Sequence, residues 1–124
     1  MLFRSGEVRY GEWSEEWGRQ AAYTVLRHQP ATDAIFCGSD QIARGVADTL
    51  RDAGRTIPGD VALVGVDNWE PMALGAQPSL SSVDMCLEKV GRVAAELLLA
   101  AIADEPAHGA RTVPCRLVVR QSSR

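Results

Sequence analysis

Short apolar runs alternate along this chain with longer segments in which apolar residues recur every three or four positions. Short runs of this kind are typical of strands, and the longer segments are typical of helices. The predicted strands are AIFCG (34–38), VALVGVDN (61–68), SLSSVDM (79–85) and TVPCRLVVR (112–120). A weaker candidate for a first strand is EVRYGE (7–12), which closes on Trp13.

Helical spacing occurs in segments that begin near residues 14, 40 and 87, and the last of these extends to residue 104. Their apolar positions are Trp17, Ala21 and Val25; Ile42, Val46 and Leu50; and Val90, Ala94, Leu97 and Ala101. The predicted order is therefore β-α-β-α-β-loop-β-α-β. Because strands that consist of continuous Val, Ile and Leu are buried on both faces, the sequence predicts an α/β fold with a mostly parallel sheet flanked by helices.

Polar residues and glycine mark the ends of the first two helices. Ser14 is the predicted N-cap of the first helix, which stops before Pro30. Either Ser39 or Asp40 caps the second helix. Gly54 follows that helix in the position of a left-handed C-terminal cap.

Distinctive residues stand at the carboxyl ends of three predicted strands, namely Trp13, the pair Ser39 and Asp40, and the pair Asp67 and Asn68. Parallel strands end at one edge of a sheet, and ligands of such sheets bind beyond that edge. A carboxylate accepts hydrogen bonds from two neighbouring hydroxyls and an indole offers a flat apolar face, so this edge suits a sugar or polyol. Other interpretations stay open: Asp40 as a pure helix cap, Asn68 as a left-handed turn residue, and Trp13 as ordinary packing.

Composition narrows the class of protein. The chain has 124 residues, enough for one domain, and a net charge of -3 with Lys89 as its single lysine. Direct binding of nucleic acid is not expected, because a DNA-binding surface needs a cationic cluster. Cys37, Cys86 and Cys115 are odd in number and far apart, which indicates a reduced, cytoplasmic protein. The sequence contains no apolar run long enough for a membrane span, and MLFRSGEVRY lacks the apolar segment of a secretory signal.

Motifs that carry catalysis or phosphate binding are absent from the sequence, among them GxSxG, GxGxxG and HExxH. His28 and His108 lie in polar stretches without neighbours that suggest a metal site. We therefore expect no enzymatic activity, no catalytic residue, no metal and no cofactor.

Three blocks of the sequence resemble the LacI/GalR family of bacterial transcription regulators: IFCGSDQIARGVADTLRDAGRTIPGDVALVGVDN (35–68), PSLSSVDMCLEKVGRVAAELLL (78–99) and LVVRQSS (117–123). The resemblance implies one lobe, plus a crossover helix, of a periplasmic-binding-protein-like fold with a small effector, usually a sugar, between two lobes. By position, Asp67 matches an effector-binding aspartate, Trp13 an aromatic residue of the pocket, and Met85 a crossover position that can line the cleft. Ser39 stands where many relatives have a ligand-contacting asparagine, and Asp40 matches the following helix cap.

The resemblance also implies partners. Residues 1–124 would form the C-terminal portion of an effector-binding domain, without the DNA-binding helix-turn-helix, hinge and first lobe, so that operator DNA would be bound only through a domain absent from this chain. MLFRSG is unlike a family start, which predicts a truncated reading frame or an expressed fragment. The helix 87–104 would normally contact the missing lobe and would here pack elsewhere, for example on a second copy. We expect a homodimer without membrane contact, and the predicted dimer contacts are Arg44, Trp69, Met72 and Leu74.

Two other functions stay open at this point. A solute-binding module for sugar transport or chemotaxis would share the fold, and an export signal upstream would favour it. A remnant that only folds would bind no ligand.

Overall fold

The computed structural model of the chain describes residues 8–105 and 108–124. Its sheet contains β1 (Ala34–Phe36), β2 (Ala62–Val66), β3 (Ser81–Asp84) and β4 (Arg116–Val118), in the order β1-β2-β3-β4. The first three strands are parallel, and β4 is antiparallel to β3. The prediction of a mostly parallel sheet flanked by helices is therefore confirmed.

The helices are α1 (Glu15–His28), α2 (Asp40–Asp52), α3 (Glu70–Ala73) and α4 (Leu87–Ile102), and a 3-10 turn covers Gln121–Ser123. Ser14 caps α1 as predicted, since its side chain accepts a hydrogen bond from the amide of Trp17. Gly54 has a φ of 70° after α2, also as predicted. The short helix α3 was not predicted, because Pro71 and Gly75 made this segment look like an irregular loop.

The core lies between α2 and the sheet, and it includes Val46, Leu50, Leu63 and Leu80. Along β2, Leu63 and Gly65 are buried beneath α2, whereas Val64 points to the opposite face. The helix α1 packs on α2 through two glycines. A Cβ at Gly18 would overlap the carbonyl oxygen of Ile42, and one at Gly45 would overlap that of Glu15.

The predicted strand 7–12 is wrong in the part that the structure describes. Glu7 and the MLFRSG start lie outside the described residues, and residues 8–12 form no strand. Val8 and Tyr10 instead line a groove with Trp17 of α1, so this segment runs along a helix and not along the sheet. Val8 and Tyr10 are mostly exposed, and the segment lies against α1 through Gly11, where a Cβ would overlap the Trp17 side chain. Trp13 follows this irregular segment.

Among the described residues, α4 and one face of the sheet expose apolar side chains. No residue of α4 is buried, and Leu98, Leu99 and Ile102 are each more than 60% exposed. On the sheet face opposite α2, Phe36 and Leu117 are exposed. Over the residues that are described, no helix is long and apolar enough to span a bilayer.

Candidate functional site

The carboxyl ends of β1, β2 and β3 meet at one edge of the sheet. The register pairs Phe36 with Val64 and Val66 with Val83, so the strands end at similar heights. Beyond this edge lie the start of α2, the residues Asp67 and Asn68, and the crossover residue Met85. The sequence predicted this meeting of Asp67 with the start of α2 because parallel strands run in one direction.

Asp67 and Asn68 form a left-handed turn directly after β2. Their φ angles are 102° and 51°, which non-glycine residues rarely adopt, although Asp and Asn tolerate this region better than most. The backbone of the turn is held by β3: the amide of Asp67 donates to the carbonyl of Val83 at 3.0 Å, and the amide of Asn68 donates to Ser82 Oγ at 2.9 Å. The backbone of Asp67 and Asn68 is therefore held against β3.

Asp40 holds the same turn from the other side. Its side chain is 1% exposed. Its Oδ2 accepts a hydrogen bond from the amide of Trp69 at 2.9 Å, and its Oδ1 accepts one from Ser82 Oγ at 2.6 Å. A single buried carboxylate thus connects α2, β3 and the segment that follows Asp67.

Asp67 is half-buried, and its carboxyl group responds to this environment. Burial raises the pKa of Asp67 above the ordinary value, and the negative charge of Asp40 raises it further. Both effects disfavour the ionised form. A ligand hydroxyl that donates to the carboxylate would favour the ionised form again.

The side chain of Asn68 is bound within the protein. Its Oδ1 accepts a hydrogen bond from Arg120 Nη2 at 2.6 Å, and its side chain contributes to lowering the pKa of Asp84. Asp84 also accepts a hydrogen bond from the amide of Cys86 and pairs with Arg116 at 2.8 Å, and these contacts lower its pKa. Ligand binding by Asn68 stays a prediction, and in this structure its side-chain oxygen is bound by Arg120.

Of the two residues that the sequence offers as the cap of the second helix, the structure selects Ser39. Ser39 is 0% exposed and caps α2, since its Oγ accepts a hydrogen bond from the amide of Ile42 at 3.1 Å. Ser39 is therefore occupied as the cap of α2, and a ligand contact by Ser39 stays a prediction. Asp40 is the first residue of the helix and not its cap, and its carboxylate is directed at the turn.

Two indole side chains are open to solvent near this edge. Trp69 follows the turn and is 55% exposed, and Trp13 is 65% exposed. Trp13 precedes α1, whose first residue, Glu15, packs on Gly45 in the second turn of α2. Because α2 begins at the carboxyl edge of the sheet, Trp13 lies at the same end of the domain. Met85 is half-buried after β3.

Ser82 and Arg120 are the residues of this region that the sequence analysis missed. Ser82 lies within a predicted strand, and its contact with Asp40 depends on a strand register that sequence alone does not reveal. Arg120 lies in the LVVRQSS block, so the resemblance marked it without giving it a role. Their hydrogen bonds to the turn make both of them part of its support.

The four predicted dimer contacts lie close together around α3. Arg44 on α2 hydrogen-bonds through Nη1 with the sulfur of Met72 at 3.5 Å. Trp69 and Leu74 flank Met72, and both are more than half exposed. These residues form a mixed apolar and cationic surface, which we call the α3 surface. No group of three His, Cys, Asp or Glu residues within 8–105 and 108–124 could hold a metal ion.

Comparisons with known proteins agree with this geometry. A family model described as a periplasmic binding protein-like domain matches residues 3–123. The chain is 36% identical over 116 residues to the HTH-type transcriptional regulator CelR of Thermobifida fusca, which covers 93% of this chain and 34% of that protein. It therefore spans about a third of the length of that relative.

Solved structures give the same result. A structure described as a transcriptional regulator CelR–cellobiose complex has a TM-score of 0.80 at 36% identity, covering 92% of this chain and 35% of the other. A LacI family transcriptional regulator from Arthrobacter sp. FB24, in complex with lactose, has a TM-score of 0.81 at 36% identity, covering 91% and 42%. The fold class and the family resemblance predicted from the sequence are confirmed.

Proposed function

Because this chain belongs to the LacI/GalR group of periplasmic binding protein-like domains, we propose that it is the effector-sensing and dimerisation region of a bacterial transcription regulator. It binds a sugar or polyol at the carboxyl edge of the sheet and carries out no catalysis. The observation that carries this proposal is the position of Asp67. Its half-buried carboxylate stands on a left-handed turn held by β3 and α2, at the edge where ligands of parallel sheets bind.

The chemistry of the edge supports a neutral, hydroxyl-rich ligand. The carboxylate of Asp67 accepts hydrogen bonds from two adjacent hydroxyls, and each such bond contributes about 1.5–3 kcal/mol. The exposed faces of Trp13 and Trp69 suit the C–H side of sugar rings. Two relatives have been solved with the disaccharides cellobiose and lactose. We therefore take a disaccharide as the first ligand to test, with Met85 at the crossover side of the pocket.

The complete protein, in this proposal, adds a first lobe and a DNA-binding helix-turn-helix to the lobe described here. The exposed apolar stripe of α4 then contacts the first lobe, and the α3 surface joins two protomers. The regulator acts in the cytoplasm and binds operator DNA only through its DNA-binding domain. The effector shifts the population between open and closed lobes and so changes operator affinity.

A solute-binding module for transport or chemotaxis is the other function that this fold permits. It is not favoured, because the similar proteins are named as transcriptional regulators. The two functions differ in a simple assay. The complete regulator retards an operator fragment in a gel, and the effector changes that retardation, whereas a solute-binding protein leaves DNA mobility unchanged.

Calorimetric titration of the complete protein tests the ligand site. We expect cellobiose or lactose to bind, and Asp67→Ala to weaken binding by about 2 kcal/mol or more, because a charge-assisted acceptor is lost. Asp52→Ala is the matched control, since Asp52 is an exposed carboxylate at the far end of α2. Equal affinity in Asp67→Ala and the unsubstituted protein would remove Asp67 from the site, and the absence of sugar binding would contradict the proposed ligand class.

A further inference from the structure

The left-handed turn at Asp67 and Asn68 needs support from outside itself. Two consecutive non-glycine residues with positive φ, here 102° and 51°, are strained in an isolated chain. Such a conformation persists only where the surrounding structure determines it. The question is therefore which side chain supplies this constraint.

Asp40 is a buried carboxylate whose hydrogen bonds reach this turn. Helix α2 does not require Asp40 as a cap, because Ser39 already accepts the hydrogen bond from the amide of Ile42. Burial of a carboxylate is unfavourable unless hydrogen bonds satisfy it. Both of its oxygens are used on the turn side, one by the amide of Trp69 and one by Ser82 Oγ.

Ser82 connects the two halves of this arrangement. Its hydroxyl donates to Asp40 Oδ1 at 2.6 Å and accepts from the amide of Asn68 at 2.9 Å. Consequently the amides of Asn68 and Trp69 are both tied to Asp40, one through Ser82 and one directly. The backbone of the turn directly after Asp67 is held at two successive points.

The opposite wall of this carboxylate is made by Gly65 on β2. A Cβ at Gly65 would overlap Asp40 Oδ1, so the strand leaves room for the carboxylate only because it has no side chain there. The first turn of α2 adds a favourable dipole for a negative charge. Three elements, α2, β2 and β3, thus enclose the side chain of Asp40.

We propose that Asp40 is a positioning residue for Asp67, which clamps the left-handed turn through Ser82 and the amide of Trp69 and thereby sets the direction in which Asp67 meets its ligand. This inference rests on the proposed ligand site only for its effect on affinity. The clamp itself is a property of the unliganded protein. Asp40 need not touch the ligand.

The clamp also acts through charge. The negative charge of Asp40 raises the pKa of Asp67, in addition to the effect of burial. Other charged groups on the elements that meet here include Arg44 on α2, Glu70 on α3, Asp84 on β3, Arg116 on β4 and Arg120 after β4. A variant that keeps the shape of Asp40 but removes its charge therefore lowers the pKa of Asp67, which a purely structural role would not require.

The decisive experiment compares Asp40→Asn and Ser82→Ala with the control Asp52→Asn in the complete protein. Two readouts need no ligand: the titration of the Asp67 carboxyl carbon followed by NMR, and hydrogen exchange of the amides of Asn68 and Trp69. The third readout is cellobiose affinity, measured in each variant with and without Asp67→Ala. Asp40→Asn preserves shape, so the test does not depend on Asp40→Ala being able to fold.

The clamp predicts a distinct pattern. Ser82→Ala speeds exchange of the Asn68 amide at least tenfold, and Asp40→Asn lowers the pKa of Asp67, whereas Asp52→Asn changes neither. Both clamp variants weaken cellobiose binding when Asp67 is present and have no further effect when Asp67 is already Ala. Unchanged titration and exchange in Asp40→Asn and Ser82→Ala would overturn the inference, as would equal losses of affinity with and without Asp67.

Failure of the proposed function gives a different result. If the unsubstituted protein binds no sugar, the ligand proposal fails, and the clamp is then decided by titration and exchange alone. A clamp that fails in a protein that binds cellobiose leaves the ligand site standing. The two proposals are therefore separable in one set of samples.

Discussion

Arg120 Nη2 donates a hydrogen bond to Asn68 Oδ1 at 2.6 Å across a sequence separation of 52 residues. The same guanidinium donates through Nη1 to the carbonyl of Leu80 at 2.7 Å. The end of the chain thus braces the turn that carries Asp67. In this structure the LVVRQSS block therefore supports the candidate site, through the hydrogen bonds of Arg120 to Asn68 and Leu80.

Replacement of Arg120 by Ala removes both of these hydrogen bonds. Hydrogen bonds to charged groups contribute about 1.5–3 kcal/mol, so we expect the free energy of unfolding to fall by about 2–3 kcal/mol in urea titrations. Arg120→Lys keeps the charge but has no fork to reach two acceptors, and it should recover only part of the loss. Equal stability of Arg120→Ala and the unsubstituted protein would show that water replaces both contacts.

The close approach of α1 and α2 gives a second prediction. A Cβ at Gly45 overlaps the backbone of Glu15, whereas a Cβ at Gly91 on the exposed helix α4 meets nothing within 4 Å. Gly45→Ala should therefore destabilise the protein by about 1–3 kcal/mol through overpacking. Gly91→Ala is the matched control and should stabilise α4 by up to about 1 kcal/mol, because alanine is the better helix former.

Thermal or urea unfolding of the two alanine variants measures this difference. Opposite signs are the expected outcome. If Gly45→Ala were as stable as Gly91→Ala, the helices α1 and α2 would have to be farther apart than in this structure.

Titration of Asp67 makes ligand binding dependent on pH. Its pKa is raised from 3.8 by burial and by Asp40, so the carboxylate becomes protonated at a higher pH than an ordinary aspartate does. Binding of a hydroxyl donor should weaken as the pH falls through that raised pKa, because the protonated group is a poorer acceptor. Calorimetry over a pH series checks this, with Asp67→Asn as the variant whose residual binding should lack this step.

The raised pKa of Asp67 has the opposite pH dependence in its effect on the stability of the folded protein. A carboxyl group with a raised pKa binds its proton more tightly in the folded state, so the folded state loses stability as the pH rises from 3.8 through the raised pKa. Asp67→Asn should flatten this part of the stability profile. Asp84, whose pKa is lowered, acts in the opposite direction below 3.8. A profile in Asp67→Asn identical to that of the unsubstituted protein would contradict the assignment.

Cysteine reactivity should follow burial. Burial and the neighbouring charge of Asp40 raise the pKa of Cys37 to about 12, while Cys115 is exposed. Since the thiolate is the reactive form, a thiol reagent at neutral pH should label Cys115 quickly and Cys37 only after unfolding. Peptide mapping after brief labelling measures the order, and early labelling of Cys37 would mean that the start of α2 opens readily.

Much of the fold could be predicted because it depends on local patterns. The run VALVGVDN corresponds to β2 in the structure, and the apolar residues at every fourth position, Ile42, Val46 and Leu50, correspond to α2. The segment 8–12 has a similar local pattern, but it lies against Trp17 of α1 and pairs with no strand, and this tertiary contact cannot be predicted from a short stretch of sequence. The helix α3 is only four residues long, too short for periodicity to reveal it.

The candidate site could also be predicted only in part. The gathering of strand ends follows from parallel topology, so Asp67 could be placed at the edge from sequence. Which of Ser39 and Asp40 caps α2 could not be foreseen, because both residue types make good caps. What decides it is the register that brings Ser82 of β3 opposite Gly65 of β2, beneath Asp40. Contacts between residues far apart in sequence could therefore not be predicted and are seen only in the structure.

Two exposed surfaces of this lobe are candidates for the contact between two protomers. The α3 surface combines exposed Trp69 and Leu74 with Arg44 and Met72, whereas α4 exposes a stripe that includes Leu98. We expect a homodimer through the α3 surface, so Leu74→Glu should give a monomer in size-exclusion chromatography with light scattering. Leu98→Glu is the matched control, with an exposed leucine of the other surface replaced by the same charge.

The two variants distinguish the possible arrangements because each places a charge in only one surface. If Leu98→Glu dissociates the dimer and Leu74→Glu does not, then α4 forms the contact and the α3 surface is free. A monomeric unsubstituted protein at micromolar concentration would contradict dimerisation through either surface. A dimer that survives Leu74→Glu and Leu98→Glu alike would require a third surface, and the open sheet face around Phe36 and Leu117 is then the apolar area left to form it.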